Sequence, residues 1–264
     1  MSPKKKYLSL ECIVVTLIIG IVLGVCQTQP PRVNESSDMY PVYERMMVNL
    51  QQMTAGARPG GSEENAIVRE KILLEIEDMG LTPTIQDAAY TLDEMIEKLL
   101  LDGGVSSSDE FWEAYHDLVA KYYDIYSLED FMDYLGHMFN EDGNMPLHNI
   151  IVKLDAPDTD RGALFVAHYD SVPEGPGAAD DMLGVVSLLE AMGSQAQNNA
   201  LESDLYFLFT DGEESGKLGA NKFVAAYPEL KDKIDLVINI DSLGNRGSLM
   251  LYQTSPNAYR MVEP

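Results

Sequence analysis

Residues 167–181 read AHYDSVPEGPGAADD. They continue the apolar run ALFV, so His168 ends a strand candidate, ALFVAH at 163–168, with Asp170 two residues further on. A short apolar run bounded by turn residues reads as a buried strand. A Gly-Pro-Gly-Ala turn then leads to Asp180 and Asp181, where the next helix is expected to begin. Outward from this stretch the texture repeats. NIIVKL (149–154), DLYFLFT (204–210) and DLVINI (235–240) are strand candidates, helical patterns occupy about 181–195 and 216–227, and SLMLYQ (248–253) could be a further strand. Near-continuous apolar strands alternating with helices predict an α/β fold whose mostly parallel central sheet is covered by helices on both faces.

Toward the N-terminus, an amphipathic helix is expected over Tyr43–Met53, then the loop ARPGGSEEN with Ser62 as N-cap and Glu63 and Glu64 in the first turn. That helix should run to Met79, where Gly80 ends it, and a short strand should cover Leu81–Gln86. Residues 88–146 differ in character. Thr91 with Glu94 and Ser107 with Glu110 are capping-box pairs opening apolar stripes, Leu92, Ile96, Leu99 and then Phe111, Tyr115, Leu118, Tyr122. A third helix from Ser127 carries Phe131, Leu135 and Met138. We read 88–146 as an inserted helical subdomain within an α/β domain spanning 43–264, with His116 and His137 as surface or packing residues.

The chain of 264 residues suffices for one large domain or two small ones, and 45% hydrophobic with 23% charged residues is ordinary for a globular protein. The formal net charge of −25 is not. It disfavours nucleic acid as a partner and favours cationic ligands such as metal ions and amines. The two cysteines, Cys12 and Cys26, both lie near the N-terminus, so a metal bound in the body must use His, Asp and Glu, which suits zinc, manganese or cobalt. Lys4, Lys5 and Lys6 precede an apolar stretch from Cys12 to Val25. No A-x-A cleavage site follows, so 1–26 reads as a membrane anchor with the rest of the chain extracytoplasmic, the alternative being a cleaved signal segment and secretion. Residues 27–42 read as a tether, and Asn34-Glu35-Ser36 is a glycosylation sequon that matters only in a eukaryotic source.

In a parallel sheet the C-terminal strand ends share one edge, and ligands bind in the crevice there. His168 ends one strand candidate, Glu213 and Glu214 follow another, Asp241 ends a third, and Asp180 precedes a helix. Singly these are a satisfied histidine, an N-cap and surface glutamates. Together, each just beyond a strand, they point to a metal site, and the donors suit two divalent ions about 3.5–4 Å apart. Asp170 is placed to orient the His168 ring from its far nitrogen. Of two adjacent glutamates only one readily faces a metal, which leaves the other free to take a proton from water.

The motifs HYD, GPGAADD, FTDGEESGKLGA and INID resemble those of the co-catalytic zinc aminopeptidases, peptidase family M28, in the flavour of the Fxna-related endoplasmic reticulum metallopeptidase branch. The resemblance covers about 43–87 and 147–264 and leaves out the insertion and the anchor. It implies a phosphorylase/hydrolase-like fold and an aminopeptidase that releases N-terminal residues from peptide substrates with two zinc ions. By position, Asp180 would bridge the ions, His168 and Asp241 would hold one, Glu214 the other, and Glu213 would be the general base. Related enzymes complete the second zinc with a downstream histidine, and none follows His168. The expectation is therefore that the C-terminal part of the domain, and any membrane helices after it, are missing. Two other readings share these motifs: a single-zinc acyltransferase like the glutaminyl cyclases, and a non-catalytic receptor-like ectodomain. The oligomeric state is not legible.

Overall fold

A computed structural model of the protein describes residues 35, 37–91, 94, 139–140, 142–196, 200–244 and 250. The chain divides into two compact units, Met1–Tyr43 and Glu44–Pro264. In the first, a turn at Ser37, whose carbonyl accepts the Tyr40 N–H at 2.9 Å, precedes a helix. The apolar segment at 12–25, the sequon Asn34, Ser107, His116, His137 and the third insertion helix all lie outside the described residues. Among the described residues no helix is long and apolar enough to cross a membrane.

Helix α1 spans Tyr40–Met53 and α2 spans Glu63–Asp78. The start of α2 follows its chemistry: the Ser62 hydroxyl accepts the Asn65 N–H at 3.1 Å, with Glu63 and Glu64 in the first turn. Its end follows too. Gly80 takes a φ of 76° and gives its N–H to Glu77 O, while Leu81 reaches back to Ile76 O, the pair of bonds that closes a helix through a left-handed glycine. Strand β1 spans Thr84–Thr91, β2 Asn144–Leu154, β3 Gly162–His168, β4 Asp204–Thr210 and β5 Ile234–Asn239. Between them lie α3, Leu183–Ala196, entered through a wide turn at Ala178–Met182, and α4, Leu218–Ala226.

These strands form one sheet in the order β1-β2-β4-β3-β5. β3 pairs in parallel with β4 and β5, whereas β2 is antiparallel to both β1 and β4. Four strands therefore share a direction and β2 alone opposes them. An apolar run such as NIIVKL carries no direction, but the link from β2 to β3, 155–161, is too short for the crossover that parallel strands require. Asp204 fastens that link: its carboxylate accepts the Ala156 N–H and the Lys153 ammonium, each at 2.8 Å.

Side chains alternate between the two sheet faces. Ile150, Val152, Leu154, Phe165, Ala167, Phe207 and Phe209 pack with Met53 of α1, Val68, Ile72 and Ile76 of α2 and Val185, Leu188 and Met192 of α3. Their neighbours Ile151, Leu164, Val166, Tyr206 and Leu208 pack with Phe223 of α4 and Ile234. The sheet is thus covered on both faces, as the apolar strands require.

Of the stretch 88–146, residues 88–91 belong to β1 and 144–146 to β2, so the boundaries expected from the sequence were too wide at both ends. The Thr91–Glu94 capping box is present. Thr91 N–H donates to the Glu94 carboxylate at 2.9 Å and Glu94 N–H to the Thr91 hydroxyl at 3.1 Å. Of SLMLYQ only Met250 is described, so that strand lies outside the described residues.

A Cβ at Gly80 would meet nothing within 4 Å, so Gly80→Ala isolates the backbone cost of a left-handed residue. Urea unfolding should show a loss of about 1–2 kcal/mol with an unchanged slope. An unaltered midpoint would contradict the glycine-closed helix end.

Candidate metal centre

The register of the parallel strands brings the candidates together. His168 pairs with Thr210 of β4, and Val166 pairs with Asn239 of β5. The Ile240 N–H still donates to Val166 O at 2.9 Å, which carries Asp241 to the level of His168. Asp180 arrives from the other side, on the turn that leads into α3, where its backbone is non-helical. It is not the cap of α3. Its carboxylate meets His168 Nε2 at 2.9 Å and accepts the Ser242 hydroxyl, also at 2.9 Å.

Among the described residues, His168, Asp180 and Asp241 form a group whose donor atoms lie within 4.8 Å of one another. His168 is buried, Asp180 half-exposed and Asp241 exposed, so the group opens to solvent on its carboxylate side. Glu213 and Glu214 are outside this trio, on the loop between β4 and α4. Asp170, fully buried, suspends that loop: its two oxygens accept the Glu213 N–H at 3.0 Å and the Glu214 N–H at 3.1 Å. Asp170 also faces His168 Nδ1, its main-chain carbonyl at 3.2 Å and its carboxylate at 3.4 Å. The backbone as well as the carboxylate of Asp170 thus faces the ring nitrogen, and the tie to both glutamates is additional.

Three residues were not singled out in sequence. Arg58 of the ARPGG loop is fully buried, and its guanidinium donates to the carbonyls of Tyr169 at 2.5 Å, Gly177 at 3.0 Å and Pro176. Asp181 is buried; one oxygen accepts the His168 N–H at 3.3 Å and the other has no hydrogen-bond partner. Asp211 is buried beneath the glutamate loop and accepts the His148 N–H at 3.1 Å and the Asn65 amide at 3.0 Å. The available signal was position. Asp211 directly continues the apolar run of β4, and Asp181 precedes the apolar residues of α3. Arg58, in a Gly/Pro loop, offered none.

The electrostatics are those of crowded anions. Burial, then the Asp180 charge, raises Glu214 to about 7. Burial raises Glu213 as well, reinforced by Asp170 and Asp241. Burial pushes Asp181 up to about 8 even with His168 beside it. Burial alone would lower His168, but Asp170, Asp181 and Glu213 outweigh it and hold the imidazole at about 10. An imidazole nitrogen and several carboxylate oxygens without sulfur, in a pocket too negative for all its acids to ionise easily, fit a divalent cation of the zinc type.

With this geometry in place, relatives become informative. Residues 149–263 match the family model of Peptidase family M28. Over that segment the chain carries the M28 peptidase pattern. It is 26% identical over 250 residues, 92% of its length, to a vacuolar membrane protease of Yarrowia lipolytica, and covers 22% of that protein. It is 40% identical over 115 residues, 43% of its length, to a vacuolar membrane protease of Kluyveromyces lactis, covering 12% of it. The chain thus spans about a fifth or less of the length of these curated relatives. Among solved structures it resembles an aminopeptidase from Aneurinibacillus (TM-score 0.54, 15% identity, 76% of this chain and 70% of that one). It also resembles a glutaminyl cyclase of Porphyromonas gingivalis (TM-score 0.52, 19% identity, 79% and 61%). Both likenesses concern the fold alone.

Burial, then the neighbouring Asp170, raises Asp211 to about 7. An acid with a raised folded-state pKa holds its proton more tightly folded than unfolded, so stability falls as pH rises from about 4 to about 7. With chelator present, thermal melts should show this decline, and Asp211→Asn should flatten part of it. A wild-type curve that is level or rises across that window would refute the assignment.

Proposed function

We propose that this chain carries the catalytic edge of a zinc-dependent aminopeptidase that removes N-terminal residues from peptides. The observation that carries this reading is the meeting of His168, Asp180 and Asp241 at the strand ends, with Glu213 and Glu214 suspended beside them from Asp170. His168 and Asp241 would hold one zinc, Asp180 would share it with a second, and Glu214 would serve that second ion. Bound zinc supplies Lewis-acid polarisation of the scissile carbonyl and makes water acidic enough to ionise near neutral pH.

The residues of the chain do the rest. Asp170, facing His168 Nδ1, leaves Nε2 turned toward Asp180. Glu213 takes a proton from the attacking water and delivers it to the departing amine nitrogen as the peptide bond breaks. Burial raises its pKa toward the range where a carboxylate can both accept and return a proton. The excess of carboxylates attracts the ammonium of a peptide N-terminus, which favours exo- over endopeptidase action. The apolar segment at 12–25 would tether this domain to a membrane with the catalytic edge on the extracytoplasmic side. The names of the vacuolar membrane protease relatives support membrane association.

Glu213→Gln should retain zinc, measured as bound metal per chain, and lose turnover by about a hundredfold or more. Asp180→Ala should lose the metal itself. Equal metal content in the two variants would contradict the division of roles.

Substrate class separates this reading from its competitors. Zinc-loaded protein is expected to release the chromophore from amino-acid anilides and to stop when a chelator is added. Cyclisation of N-terminal glutamine without anilide release would assign a cyclase instead. Inactivity in both assays, with zinc bound, would favour a receptor-like role.

A further inference from the structure

Between His168 and Asp180 the chain makes a loop whose two ends must be held for both residues to stay at donor distance. We propose that Arg58 is the positioning residue that sets this spacing: its buried guanidinium clamps the two ends of the 169–177 loop and so fixes His168 relative to Asp180. The inference rests on the zinc-site reading given above.

The geometry is specific. Nε donates to Tyr169 O at 2.5 Å, next to His168, while the two terminal nitrogens reach the Pro176 and Gly177 carbonyls, just ahead of Asp180. A planar fork with donors in fixed directions can join three carbonyls in this way, and a lysine ammonium cannot. The main chain of Arg58 adds a reciprocal tie: its N–H donates to the Ser171 hydroxyl at 2.9 Å, and its carbonyl accepts the Ser171 N–H at 3.3 Å. The loop leaves no slack around the clamp. A Cβ at Gly177 would lie 2.3 Å from Asp180 O, 2.8 Å from Ser171 Cβ and 3.2 Å from Arg58 Nη2. Gly177, at a φ of 50°, is thereby pressed between the clamp and the candidate ligand.

The charge of Arg58 matters separately from its hydrogen bonds. Its guanidinium donors go to carbonyls, although Asp170, Asp181 and Glu214 are all near enough to stabilise the cation. The guanidinium therefore places a fixed positive charge behind a set of crowded carboxylates without forming an ion pair with any of them. It offsets their mutual repulsion before a metal arrives without occupying their oxygens itself.

Arg58→Lys keeps the charge and loses the fork; Arg58→Met loses both. Zinc affinity of the full chain, measured by calorimetric titration with zinc chloride, is expected to weaken about tenfold to a hundredfold in Arg58→Lys and further in Arg58→Met, the range usual for groups that orient metal ligands. Thermal melts with chelator report stability separately. A lower melting temperature with zinc affinity within twofold of wild type would make Arg58 merely structural and overturn the proposal. Should both variants fail to fold, Ser171→Ala, which removes one strut of the same clamp, is expected to weaken zinc binding several-fold, and an unchanged affinity there would also overturn it. Wild-type protein that binds no zinc would instead defeat the underlying reading of the site, an outcome distinct from either result on Arg58.

Discussion

The parallel ladder between β3 and its two neighbours sets His168 level with Thr210 on one side and with Asp241, two residues beyond the Val166–Asn239 pair, on the other. Every other feature of the candidate centre hangs from that register. Slipping β3 by one residue would turn His168 to the opposite sheet face and carry Phe165 and Ala167 out of the main core. The same apolar packing that stabilises the sheet therefore fixes the donor atoms, and the polar edge needs no separate device to bring its strands into line.

What the edge does need is a way to tolerate its own charge. Carboxylates removed from water and set beside one another resist ionisation, and Asp181, Asp211 and Glu214 all respond by holding their protons more tightly. Three arrangements counter this. With no metal bound the surrounding acids favour the protonated form of His168, Arg58 lies behind them, and Asp170 receives two main-chain N–H groups from the glutamate loop. A divalent cation at the trio would displace the His168 proton and supply the balancing charge in its place, which is why the donor set reads as a metal centre rather than as a solvated acidic rim.

Much of the scaffold was legible. Ser62, Gly80 and the Thr91–Glu94 box act locally, through hydrogen bonds spanning a few residues, so their roles follow from neighbours in sequence. The apolar strands and the helices covering them follow from periodicity for the same reason. The reversed direction of β2 was not legible from NIIVKL, whose hydrogen bonds serve equally well in either sense. It became readable only once the seven-residue link 155–161 was known to join two strands of one sheet.

The candidate site divides along the same line. The sequence by itself determined which residues stand at strand ends, namely His168, the Glu213–Glu214 pair and Asp241, because apolar runs announce where a strand stops and polar chemistry begins. Only the tertiary structure decided how those ends are tied together: Arg58 under the loop, Asp181 against the His168 backbone, Asp211 beneath the glutamates and Asp170 holding the glutamate loop as well as facing the histidine. Apart from the approach of Asp170 to His168, which the sequence already suggested, these are contacts between residues 13 to 111 positions apart. A buried charge is recognised by the partners that surround it, and such partners are set by packing in space rather than by spacing along the chain.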